Sequence, residues 1–195
     1  RRQRQMCIRD RRELVAYTRA HPGTLNYASG TVGSTNHLAA ELFKALAGVN
    51  IARVGYKGSG FAVNDLIGGQ VQLMFATTGS IAPHVKSGRL RALAVTSPQP
   101  SPLAPGLPTI AASGVPGYEA VTMYGLYAPA RTPAAIIARL QQDAARYLQT
   151  ADIRDKLFGA GVETVGASPA EFTAEIRADI ARLAKVIRDA GIRAE

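Results

Sequence analysis

The sequence predicts an α/β domain built on a parallel or mostly parallel sheet. Three observations carry that prediction. Short apolar runs alternate with helix-spaced patterns over residues 25–96, joined by a few glycine-rich residues each time. The 195 residues are 47% hydrophobic and 19% charged, enough to bury a core and too apolar for a disordered chain. No apolar stretch reaches the ~18 residues needed to cross a bilayer.

The elements follow in order. Leu25-Asn26-Tyr27-Ala28-Ser29 is a short strand, followed by a Gly-rich turn. Leu38, Leu42 and Leu46 lie at helical spacing within residues 35–47, and Gly48 ends that helix. Residues 51–56 form a second strand, weakened by Arg53 and Gly55. Residues 61–67 are a short helix stopped by Gly68-Gly69. Residues 71–76 are a third strand, apolar enough to be buried on both faces. Residues 81–87 form a short helix ended by Gly88, and residues 90–96 a fourth strand. Right-handed crossovers then constrain the winding.

Residues 97–108 hold five prolines and read as an extended connector. Gly114, Pro116 and Gly117 make a turn, and residues 118–128 a strand crossing to a new unit. The remainder is mostly helical. Thr132-Pro133 is an N-cap with proline at the first helical position, and Ile136, Ile137, Leu140, Ala144 and Leu148 give that helix an apolar stripe. Residues 151–160 are a second helix and residues 163–165 a small strand. Ser168-Pro169-Ala170-Glu171 is a capping-box start, with Phe172, Ile176, Ile180, Leu183 and Ile187 on one face behind it. These stripes exceed the sheet left to cover, so part of their partner is expected outside this chain.

The formal net charge is +9, and residues 1–11 hold five arginines against Asp10 alone. Such an arm suits nucleic acid or an anionic membrane. However, Met6-Cys7-Ile8-Arg9-Asp10 resembles one reading frame of a sequencing-library transposon adapter. Residues 1–11 are therefore expected to be a non-native leader, outside the fold. Cys7, the single cysteine, excludes an internal disulfide and a Cys-based zinc cluster. His21, His37 and His84 are too dispersed to support a metal site.

In an open parallel sheet, ligands bind beyond the carboxyl ends of the strands. Three such loops are legible: Ser29-Gly30-Thr31-Val32-Gly33-Ser34-Thr35, Tyr56-Lys57-Gly58-Ser59-Gly60 and Thr77-Thr78-Gly79-Ser80. All are small and hydroxyl-rich, and all are expected on one edge. The first runs into a helix, whose opening N–H groups and partial positive charge make an anion site. It lacks the Lys of a P-loop and the spacing of G-x-G-x-x-G, so a carboxylate is a more natural guest than a phosphate. Ser34 and Thr35 add hydroxyl donors, His37 sits in the first helical turn, and Lys57 is the one formal charge in these loops. Ser34 and His37 are close, but no G-x-S-x-G elbow surrounds them. Paired carboxylates for sugar chemistry are lacking, and Tyr118, Tyr124 and Tyr127 do not interleave with a basic stripe.

Residues 25–38, Leu25-Asn26-Tyr27-Ala28-Ser29-Gly30-Thr31-Val32-Gly33-Ser34-Thr35-Asn36-His37-Leu38, closely resemble a signature of the tripartite tricarboxylate receptor family, the Bug-type solute receptors. Further ordered matches are Tyr56-Lys57-Gly58-Ser59, Asp65-Leu66-Ile67-Gly68-Gly69-Gln70-Val71, residues 88–96, Leu107-Pro108-Thr109, Gly117-Tyr118-Glu119, residues 125–130 and Ala190-Gly191-Ile192. The resemblance implies a type II periplasmic-binding-protein fold, with one complete lobe plus the C-terminal part of a second. Residues 12–121 would be the ligand-binding lobe, the second lobe of the family, and residues 122–195 the return into the first lobe, whose opening part is absent. It further implies a periplasmic, non-catalytic receptor, a monomer at full length, without cofactor or nucleic acid. Its partners would be a small carboxylate (a di- or tricarboxylate, an acidic amino acid or an aromatic acid) and the membrane components of a tripartite tricarboxylate-type transporter. The expected ligand-binding residues are Ser29, Gly30, Gly33, Ser34, Thr35, His37, Tyr56, Lys57, Gly58, Ser59, Thr77 and Thr78. Two departures stand out: Gly55 where the family commonly has Pro, and Thr77-Thr78 where an acidic or Asn-containing pair is frequent. Two other readings compete. One is an effector-sensing domain of a transcription regulator with the same two-lobed fold, which requires an upstream helix-turn-helix. The other is an enzyme using Ser34 or Lys57 as nucleophile, for which no activating partner is visible.

Overall fold

A computed structural model describes residues 11–193. The expected leader therefore lies outside the described residues except for Arg11, which opens the first helix, α1 (Arg11–Ala20). Then come β1 (Asn26–Ser29), α2 (Thr35–Ala47), β2 (Ala52–Gly55), α3 (Ser59–Ile67), β3 (Leu73–Met74) and α4 (Thr78–Lys86). A 3-10 turn (Ala111–Ser113) precedes α5 (Ala134–Leu148), α6 (Ala151–Gly159) and α7 (Pro169–Asp189). Helix α1 had no counterpart in the sequence reading. Leu14 and Val15 bury its inner face, and Arg19 donates from Nε and Nη2 to the Ala47 carbonyl, at 3.0 and 2.8 Å.

The sheet has three strands in the order β2-β1-β3, all parallel. Asn26 pairs with Ala52 and Ser29 with Gly55 on one side, and Tyr27 with Leu73 on the other. The central strand is β1, so its side chains are covered on both faces. Tyr27 enters a core with Leu25, Leu42, Phe43, Ile51, Val115 and Tyr118, whereas Ala28 faces a smaller cluster with Ala62 and Val71. Two-faced burial was expected of residues 71–76. It belongs to β1 instead, because β3 is a two-residue edge strand with Leu73 and Met74 only half-buried.

Helix α2 buries Ala40, Leu42, Phe43 and Ala47, while Leu46, expected on the inner face, is exposed. It ends at Gly48, whose φ of 62° is the left-handed conformation glycine adopts without Cβ strain. The Tyr118 hydroxyl donates to the Ala39 carbonyl at 3.0 Å, and the Tyr118 ring meets Phe43 edge-on. Val186 and Leu183 of α7 close the same core against α2.

Six further expectations need correction. Residues 90–96 are not a strand. Only Val95 bridges Thr109, and Pro108, without an N–H, cannot extend that ladder. Residues 118–128 and 163–165 also form no strand, having no ladder partner among the described residues. The Phe172 ring instead lies against Gly125, and Glu163 accepts from the Ser101 hydroxyl at 2.5 Å. The cap of α5 is Pro133, one residue later than expected, with the Thr132 N–H turned back to the Pro129 carbonyl. The last two short helices of the first half begin early: α3 starts at Ser59 and α4 at Thr78, which takes most of the third loop into a helix. The capping box of α7 is present as expected, Ser168 accepting from the Glu171 N–H and Glu171 from the Ser168 N–H.

Candidate functional site

Because the strands are parallel and adjacent, their C-terminal ends, at Ser29, Gly55 and Met74, lie along one edge of the sheet. The three glycine- and hydroxyl-rich loops leave from that edge. The β1–α2 loop is the most ordered by its own bonds. Asn36 Oδ1 accepts from the Ser34 hydroxyl at 2.7 Å and the Gly30 N–H at 3.4 Å. His37 Nδ1 accepts from the Gly33 N–H at 3.0 Å. Gly33 has φ 77°, which only glycine holds cheaply, and nothing stands within 4 Å of where its Cβ would be.

Ser34 caps α2 in an extended conformation and makes no side-chain cap bond. The first amide with an intrahelical acceptor is Leu38, bonded to the Ser34 carbonyl at 2.9 Å. Helix geometry thus leaves the N–H groups of Thr35, Asn36 and His37 without an intrahelical partner at the opening of α2. The Gly33 N–H, by contrast, is already occupied by His37.

His37 is buried, its Nδ1 directed to the loop backbone. Burial, and then the nearby Arg53 guanidinium, hold its pKa below the ordinary value, outweighing the opposite pull of Glu41, 4.0 Å away. The imidazole is therefore neutral at pH 7, and acceptance at Nδ1 places its proton on Nε2. Glu41, also buried, accepts from the Tyr27 hydroxyl at 2.6 Å and from Lys44 at 2.8 Å. Burial first, and then this carboxylate, raise the Tyr27 pKa far above the usual range.

Arg53 of β2 was read from sequence only as a weakness in a strand. It reaches across to β1: Nε donates to Ser29 Oγ at 2.7 Å and Nη2 to the Gly30 carbonyl at 2.6 Å. Ser29 is fully buried, and its hydroxyl accepts from Arg53 while facing the Gly30 carbonyl at 3.2 Å. A single arginine among apolar strand residues, two before a glycine, was the one available signal.

The second loop is more open. Tyr56 donates to Asp65 of α3 at 2.8 Å, tying the loop to its helix. Lys57 and Ser59 are exposed, and Gly58 caps α3 with an extended backbone. The third loop opens α4: Thr77 caps it, exposed, and the Ser80 hydroxyl donates to the Thr77 carbonyl at 2.8 Å. Thr78 is the first helical residue. Behind it, a Cβ on Gly79 would collide with the Ala160 carbonyl, so α4 meets the end of α6 backbone to backbone. A groove of about 430 Å³ between α5 and the start of α7 lies elsewhere and has no charged residue in its lining. Among the described residues no group of three or more His, Cys, Asp and Glu could hold a metal, and no helix is long and apolar enough to cross a membrane.

Comparison with known proteins finds relatives over most of the chain. The sequence profile described as "Tripartite tricarboxylate transporter family receptor" matches residues 3–192, a range that begins inside the segment expected to be a leader. Protein BugT of Bordetella pertussis is 35% identical over 180 residues, covering 92% of this chain and 55% of the relative. The solved structure of Rpa4515 from R. palustris with adipate has 38% identity and a TM-score of 0.84, over 97% of this chain and 63% of that one. MatC (Rpa3494) from Rhodopseudomonas palustris, with bound malate, has 27% identity and a TM-score of 0.76, over 92% and 62%. The chain spans about half the length of the curated relatives it matches.

Proposed function

The chain belongs to the tripartite tricarboxylate transporter receptor family, and on that premise we propose that it captures a small carboxylate in the periplasm for a tripartite membrane transporter. The observation that carries this reading is the opening of α2. Three N–H groups without intrahelical acceptors stand at the C-terminal end of the central strand, on the edge from which the other two loops also leave. One carboxylate of the ligand would take those amides, with the Ser34 and Thr35 hydroxyls beside them. Tyr56, Lys57, Gly58 and Ser59 would line one flank, and Thr77 and Thr78 the other. Gly30, Gly33 and His37 would shape the loop rather than touch the acid, since the Gly33 amide and His37 Nδ1 bond each other.

Residues 12–121 would act as one ligand-binding lobe, and residues 122–195 as the returning part of a second. The exposure of Ile136, Leu140 and Tyr147 on α5 supports that division, because an amphipathic helix normally covers its apolar stripe. Adipate in one structural relative and malate in another support an acid with two carboxylates. A receptor role also suits the chemistry at Ser34, whose hydroxyl proton goes to Asn36 and not to a base.

The test is titration calorimetry of the chain, and of a version extended to the length of its relatives. The panel is adipate, malate, citrate, glutamate and nicotinate. A saturable one-to-one isotherm with at least one acid is expected. The absence of heat with every acid, in both lengths of chain, would refute the reading.

A further inference from the structure

Arg53 is placed at the site by more than its position on β2. Two of its three nitrogens hold the end of β1 and the loop that follows: Nε holds the Ser29 hydroxyl, and Nη2 the Gly30 carbonyl. A trans peptide directs its C=O and N–H to opposite sides. With the Gly30 carbonyl drawn to Arg53, the Thr31 N–H is directed away from it, so the guanidinium sets the first peptide of the anion loop. Nη1 has no acceptor among the described residues, which leaves its two N–H donors open at the strand ends.

Gly55, two residues on, is matched to this arrangement. A Cβ at position 55 would stand 3.1 Å from Arg53 Nη2, 3.5 Å from Cζ and 3.6 Å from Nη1. The guanidinium lies over the glycine, and a side chain there must shift it by a few tenths of an ångström. The backbone makes no such demand for glycine. Ala52 and Tyr56 donate their N–H groups to β1, so by alternation the Gly55 N–H faces the open edge of the sheet. Proline at 55 would therefore cost no ladder bond.

We propose that Arg53 and Gly55 form a matched pair that reads the charge of the ligand: Arg53 positions the anion loop and supplies a fixed cation to the captured carboxylate, and Gly55 leaves the guanidinium its place. The proposal rests on the carboxylate reading of this site. It replaces a pocket of neutral donors with one in which a fully ionised carboxylate end is favoured electrostatically, and it makes position 55 a selectivity position without ligand contact.

The experiment measures the affinity for adipate and malate at low and high salt, on a chain length that binds. Variants are Arg53→Gln, Arg53→Lys, Gly55→Pro and the double variant Arg53→Gln/Gly55→Pro, with the melting temperature followed for each. Arg53→Gln is expected to weaken binding at least about tenfold and to flatten its salt dependence. Arg53→Lys retains the salt dependence at intermediate affinity. Gly55→Pro weakens binding when Arg53 is present and adds nothing in Arg53→Gln. Unchanged affinity in Arg53→Gln or Gly55→Pro overturns the proposal. So does an equal loss in the Gln and Lys variants with the salt dependence intact, which marks a structural prop alone. If the parent chain binds no acid at any length, the functional reading itself has failed and this inference falls with it.

Discussion

His37 shows how one side chain couples the loop to the core. Its Nδ1 holds the Gly33 amide, and protonation there would remove the acceptor. Burial and Arg53 keep the folded-state pKa below the ordinary imidazole value of about 6.5. The sign follows from linkage: the unfolded chain takes up this proton first, so the stability contribution is complete above about pH 6.5 and declines as pH falls below it. Denaturant titrations from neutral to mildly acidic pH are expected to show that decline, and His37→Gln to remove part of it. A slope unaltered by the substitution would show that His37 does not titrate as described. Gly33, Ser34 and the helix opening were legible because glycine and hydroxyl residues before an apolar helix have local meanings. Arg53 was not, because a charge inside a strand is judged by what lies across the ladder, and its partners are Ser29 and Gly30.

At the level of elements, every helix after α1 could be read, whereas half of the expected strands do not form. Gly48 and the Ser168–Glu171 box act within one turn, so their effect is written in neighbouring residues. A strand exists only where another strand accepts its bonds. Residues 90–96 and 118–128 have suitable residues and no ladder, and β3 shrinks to the two residues that β1 can pair. The register of packed helices is equally non-local. Gly79 reads as a loop glycine, yet its place is dictated by Ala160 and Gly161, far along the chain. Gly79→Ala is expected to cost about 1–3 kcal/mol by overpacking, measured as a lowered denaturation midpoint. A neutral result would mean that α4 and α6 part easily.

The molecule as a whole is unevenly buried. Tyr27 and Ala28 are sealed on both faces, whereas α5 and α6 have no buried residue. Helix α7 lies between these extremes: Val186 is buried at its C-terminal end, Ile180 is exposed, and Arg182 bonds Glu119 and Asp179 at 2.6 Å each. Local stability follows burial. Amide exchange in the isolated chain is expected to be slowest in β1 and α2 and faster by orders of magnitude in α5. Equal protection throughout would show that α5 is held by contacts the chain does not display, such as those of a self-associated form.

The strand order has a consequence for biosynthesis. Since β1 lies between two strands that follow it, its hydrogen-bonding groups wait for Ala52 and then for Leu73 to arrive. The most deeply buried strand of the sheet is thus made first and sheltered last. A nascent chain halted before β3 would present Tyr27 and Ala28 on an open edge, which is where a chaperone would be needed.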